Sequence, residues 1–182
     1  MRLSAHAVIR RLLRLPEVAS ALRGRRGTTS LEFAVIASGL FTAIFAILEI
    51  SLQLATMAAL EWTALRASRF GITGSTTVRG APGSMPSCRS AIIPWLVNYS
   101  TGGFLTSANL VVTVNNYSTL SAGTGGTGGT SGAGAGGAVV GYDLAYTQRF
   151  LTPIPALITG SAQMVHRVTI VIKNEPFDNA TC

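Results

Sequence analysis

The residues that could do chemistry in this chain are few and widely separated. Two histidines, His6 and His166, two cysteines, Cys88 and Cys182, and seven carboxylates are spread over 182 residues. His166 has no Ser/Asp set around it that would make it a general base beside a nucleophile. The cysteines stand 94 positions apart, which is neither a redox C-x-x-C nor a zinc-ligand spacing. A formal G-x-G-x-x-G from Gly123 to Gly128 is followed by a β-rich run rather than a helix, so it lacks the context of a dinucleotide fingerprint. The expectation is therefore a protein that is not an enzyme and carries no cofactor or metal.

The informative chemistry is instead at one peptide bond and one carboxylate. Arg25-Arg26-Gly27-Thr28-Thr29-Ser30-Leu31-Glu32-Phe33 runs directly into an apolar segment that continues to Leu60. Arginine and glutamate cost several kcal/mol at a bilayer centre, so both belong near its edge if the segment spans. Sixteen residues without formal charge lie between Glu32 and Glu49, a rise of about 24 Å at about 1.5 Å per residue. This falls slightly short of a hydrocarbon core of about 30 Å. Extension through Leu52 and Leu54 closes the gap if Glu49 faces another helix or the outer headgroups. A transmembrane segment over about residues 33–55 results.

The stretch 25–33 resembles the processing region of the TadE family, pseudopilin-like minor subunits of bacterial tight-adherence (Flp-type) pilus machines. In that family a prepilin peptidase cuts after a glycine that precedes a short linker, a glutamate and an aromatic residue. The resemblance implies cleavage between Gly27 and Thr28, with Glu32 and Phe33 serving assembly and Glu32 neutralising the new α-amino group. It covers residues 25–71 and, more loosely, 142–177, where residues 168–177 are similar to the strand that closes such domains. It further implies a pilin-like fold and a role in pilus assembly, adhesion and biofilm formation. The implied partners are prepilin peptidase, other pseudopilins and inner-membrane platform proteins.

Composition agrees with a membrane-attached chain. Charged residues make up 12% and mean hydropathy is +0.43, against about a quarter charged in soluble domains. The net charge of +7 is concentrated before the proposed cut, where seven arginines face Glu17; only +1 remains from Thr28 onward. No basic face is left for nucleic acid. The basic end is expected to keep residues 1–27 cytoplasmic as a leader and to send the C-terminal part outward; the resemblance implies the bacterial inner membrane, a periplasmic C-terminal domain and a place in or beside the pilus. His6 to Leu15 reads equally as an amphipathic surface helix or an unstructured leader. A secretory signal peptide is the rival for this end, but the apolar stretch is long and no A-x-A-type site follows closely.

Along the helix, Thr29-x-x-Glu32 has capping-box spacing. Ser38, Thr42, Glu49, Gln53, Thr56 and Thr63 fall within a stripe about 80° wide at about 100° per residue. Small and hydrogen-bonding residues draw helices together in lipid, so Ser38, Thr42, Glu49 and Gln53 are expected to pack on partner helices. Back-bonding of Ser and Thr to their own helix is the simpler alternative, but it leaves Glu49 and Gln53 unexplained. Trp62 suits the outer interface. The helix should span residues 28–70 and end at Gly71.

Residues 71–87 read as a linker and 88–182 as an outward α+β domain that follows the long transmembrane helix, with a small antiparallel sheet packed on a helix. A short helix near residues 90–99 should be limited by Pro94 to about a turn unless the proline falls near its start, with Trp95 in the core. Three strands are legible: residues 110–115, a run in which Val140, Tyr142, Leu144 and Tyr146 mark one buried face, and a run through Val168, Ile170 and Ile172. A loop with one helical turn should join the last two around residues 153–160, and residues 121–137 should form a flexible Gly-rich hairpin loop. Cys88 and Cys182 both fall on the oxidising side. A bridge would close about 95 residues and stabilise by up to ~4 to 5 kcal/mol, although spacing alone does not bring them together. The alternative to a pseudopilin is an unprocessed single-pass envelope protein with a ligand-binding periplasmic domain.

Overall fold

The computed structural model describes residues 28–178. The chain divides into two compact units between Leu48 and Glu49, and helix α1 (Thr28–Ile72) runs through both. In the first unit α1 is an apolar rod with its large side chains open: Phe33 is 72% and Ile36 70% exposed. Nothing in that stretch interrupts the helix, since its only glycine, Gly39, has open space around it.

The second unit holds the rest of α1, helix α2 (Arg89–Ser100), a 3₁₀ turn (Ser107–Asn109), strand β1 (Leu110–Tyr117), helix α3 (Leu120–Gly125), strand β2 (Thr130–Ser131), strand β3 (Val139–Arg149), helix α4 (Ile154–Thr159) and strand β4 (Gln163–Lys173). The four strands form one antiparallel sheet in the order β2-β1-β3-β4. The architecture is α+β and pilin-like, a long apolar helix packed on an antiparallel sheet.

The period-two pattern of β3 does what alternation predicts: Val140, Tyr142, Leu144 and Tyr146 are all buried. They meet Leu60, Ala64 and Ala67 of α1 and Ile93 and Val97 of α2 in one core. Two alanines on the contact face of α1 allow its backbone to approach the sheet closely. β3 and β4 pair over their full eleven residues, from Val139↔Lys173 to Arg149↔Gln163, whereas β1 stops opposite Tyr146. The hairpin therefore overhangs the sheet by a two-stranded arm.

Several expectations need correction. α1 continues through Gly71 to Ile72, and Gly71 serves packing: a Cβ there would lie 1.8 Å from the Tyr142 hydroxyl. The left-handed residue is Gly74, at φ 64°, with the Phe177 ring against it. Thr29 lies inside the helix, not at its N-cap. Pro94 does not limit α2, which runs twelve residues with the proline inside. An interior proline costs about 3 kcal/mol, and burial of Ile92, Ile93, Leu96 and Val97 offsets it. Trp95 is half-buried and stacks on Tyr99 at 4.9 Å between ring centroids, so it is no core residue.

Residues 121–137, expected as a loop, carry most of α3 and all of β2. Thr119 caps α3 by accepting from the Ala122 amide, and Gly126 ends it in the left-handed conformation. Gly123 lets the helix rest on the outer face of the sheet, because a Cβ there would come within 2.7 Å of Val171. Ala133, further along the tract, is part of the core. Much of the glycine thus serves close packing.

Candidate functional site

Glu49 and Gln53 stand one turn apart on α1, the i, i+4 spacing that lets two side chains meet. The Gln53 amide nitrogen donates to Glu49 Oε1 at 2.9 Å. The other carboxylate oxygen accepts two backbone N–H groups from the connection after β3, Leu151 at 2.8 Å and Thr152 at 3.2 Å. Glu49 is only 5% exposed as a result. The Gln53 carbonyl oxygen lies 2.7 Å from His166 Nε2. Since the amide nitrogen of Gln53 is committed to the carboxylate, its oxygen must accept, so Nε2 of His166 carries the proton.

A line of polar groups therefore crosses from the β3–β4 connection through Glu49 and Gln53 to His166 on β4. Burial pushes the His166 imidazole below its ordinary pKa. The carboxylate never touches the imidazole, because an amide intervenes. The line is a fastener between helix and hairpin, in which every strong hydrogen-bonding atom of Glu49 is occupied.

The predicted stripe splits into two behaviours. Ser38 and Thr42 are exposed and bond back to Val35 and Ser38 carbonyls at 2.9 and 2.8 Å. Thr56 and Thr63 are buried and also bond back, to Leu52 and Ala59. Glu49 and Gln53 alone reach another part of the chain, and that part is their own domain. Glu32 and Phe33 are exposed on α1. Thr28 opens the described helix; Gly27 and Cys182 lie outside the described residues. Cys88 is disulfide-bonded, and its sulfur is 3.1 Å from the Ser90 hydroxyl.

A second polar cluster escaped sequence reasoning. Arg89, 2% exposed at the start of α2, donates to the Ala133 carbonyl at 3.0 Å and to the Gly134 carbonyl, and lies 4.6 Å from the Phe177 ring centroid. Asn174 donates to the Ala133 and Ala135 carbonyls, both at 3.0 Å. Desolvation lowers the pKa of Arg89, with Tyr142 opposing the shift. Desolvation raises that of Tyr142 to about 12, with Arg89 opposing. The only hint in the sequence was an arginine opening an otherwise uncharged helix.

On the outer face of the sheet, beside α3, is a cleft of about 330 Å³ lined by Asn115, Tyr117, Thr124, Asp143, Arg167 and Thr169 among others. Arg167 and Asp143 approach to 3.8 Å there, both well exposed, a pairing worth ~0 to 1 kcal/mol. Among the described residues no group of three or more His, Cys, Asp or Glu could hold a metal ion. Comparison with protein-family models, curated proteins and solved structures finds no match to this chain. Its α1 is nonetheless long and apolar enough to cross a membrane.

Proposed function

We propose that this chain is a minor pseudopilin of the TadE type, anchored in the bacterial inner membrane by α1 and processed by prepilin peptidase between Gly27 and Thr28. The observation that carries the proposal is the division of labour along one unbroken helix. Its first half displays apolar side chains to the surroundings, and from Leu60 onward it is built into an α+β domain. A helix of that kind can exchange lipid neighbours for protein ones while holding its domain. Glu32, exposed near the start of α1, is the group that pairs with the new α-amino group of Thr28 in this or a neighbouring subunit. Such a pair gains more at the edge of hydrocarbon than in water. The partners are the peptidase, other pseudopilins and the inner-membrane platform, and the outcome is tight-adherence pilus assembly and adhesion.

N-terminal sequencing of membrane-extracted protein, from cells with and without prepilin peptidase, tests this. A start at Thr28 only when the peptidase is present supports it. Retention of Arg2 to Arg26 in both supports the second reading, an unprocessed single-pass envelope protein, for which the cleft beside Asp143 and Arg167 would be the ligand site. Gly27→Leu should block maturation. Glu32→Ala should be matured and yet fail to restore piliation.

A further inference from the structure

The connection between β3 and β4 has the composition of a membrane-contacting element. Residues 150–165 contain no formal charge. Leu151, Leu157 and Ile158 are 65%, 84% and 81% exposed, and α4, which carries the last two, buries none of its residues. A short helix on a water-facing surface normally hides its large apolar side chains; this one half-buries Ile154 and Ala156 and leaves Leu157 and Ile158 open.

Part of its backbone is already hydrogen-bonded within the protein. The Phe150 amide donates to the Ala162 carbonyl, Leu157 to Pro153 and Gly160 to Ala156. Leu151 and Thr152 donate to Glu49, and Pro153 and Pro155 have no N–H to satisfy. Non-helical backbone is tolerated at membrane depth only when its polar groups are met internally.

Depth follows from Glu49. Seventeen positions separate it from Glu32, about 25 Å along a helix, which places Glu49 near the far boundary of a hydrocarbon core about 30 Å thick. The connection is hydrogen-bonded to that carboxylate, so it lies at the same level. The helix continues apolar and open just beyond, at Ile50 and Leu54. Arg149 is exposed where β3 enters the connection, and a long cationic side chain at that level suits an anionic headgroup region.

We propose that the β3–β4 connection is a second membrane contact, inserting Leu151, Leu157 and Ile158 into the interface of the outer-facing leaflet while covering Glu49 from lipid. The inference rests on α1 spanning the bilayer, as in the function proposed above. It explains how a carboxylate is tolerated so close to the apolar segment: its charge is spent on three N–H donors and roofed by a lipid-compatible loop.

The test uses the full chain with Trp62→Phe and Trp95→Phe, reconstituted into phosphatidylethanolamine–phosphatidylglycerol vesicles with brominated acyl chains. Single tryptophans are introduced as Ile158→Trp, Leu157→Trp and, as a marker of the span, Ile44→Trp. The proposal expects the tryptophans at 157 and 158 to lose most of their emission to the bromolipid and to resist aqueous iodide. If both are quenched by iodide and untouched by bromolipid while the one at 44 is quenched by bromolipid, the contact is refuted and the span stands. Shielding of 157 and 158 from both quenchers would mean that protein covers the patch, and also refutes it. No bromolipid quenching at 44 removes the span and the proposal together.

Discussion

Replacing Glu49 by alanine isolates the fastener between helix and hairpin. The substitution strips the acceptor from two backbone N–H groups, Leu151 and Thr152, and from the Gln53 amide, which can rotate toward other partners. A buried donor left unpaired costs about 1 to 3 kcal/mol; these two bonds are only part-buried, so about 1 to 2 kcal/mol each, or roughly 2 to 4 kcal/mol together, is the expected local destabilisation. Amide hydrogen exchange in detergent micelles reads this directly. The Leu151 and Thr152 amides should exchange roughly 30- to 1,000-fold faster, at about 1.4 kcal/mol per factor of ten. Strand amides of β1 and β3 far from the connection should keep their rates. Glu49→Gln retains one acceptor oxygen and should show about half the effect in free energy. Unchanged exchange at 151 and 152 in the alanine variant would refute the reasoning, as would an equal acceleration throughout the sheet.

Gly71→Ala should destabilise the domain by about 2 to 3 kcal/mol in denaturant melts, because its Cβ meets the Tyr142 hydroxyl. Tyr142→Phe removes a buried hydroxyl without a hydrogen-bond partner, so it should be neutral or stabilising alone and recover part of the Gly71→Ala loss. The folded state holds His166 below its ordinary pKa. The unfolded chain therefore takes up the proton first as pH falls, and the stability His166 contributes, complete above the unfolded pKa of about 6.5, is lost as pH falls through the folded value. Unfolding titrations should show this slope in the wild type and not in His166→Gln. Arg89→Met keeps the stem but loses the bonds to Ala133 and Gly134 and the contact with Phe177. It should loosen residues 132–137, with faster proteolysis there as the measure.

Period and length made the long helix and the paired strands legible. Val140, Tyr142, Leu144 and Tyr146 alternate without interruption, and only one face of a pleated strand can take them. What could not be read were partnerships across sequence. Glu49 announced itself as an acid beside an apolar run, and helix-to-helix pairing was the natural inference. Besides Gln53, its partners are 102 and 103 residues away and are backbone N–H groups, which every residue but proline has. His166 likewise finds Gln53 across 113 positions. The glycine tract misled for a different reason. Composition reports freedom, but at Gly123 the missing side chain is what allows a helix to settle on Val171. Pro94 shows the opposite error, a strong local breaker overruled by four buried side chains around it.

The part of α1 within the domain is held to the sheet at two levels: by Glu49 and Gln53 at one end, and at the other by the Glu175 amide donating to the Ile72 carbonyl at 3.0 Å. Sliding this part of α1 along the sheet would therefore have to break links at both ends and unseat the core side chains between them.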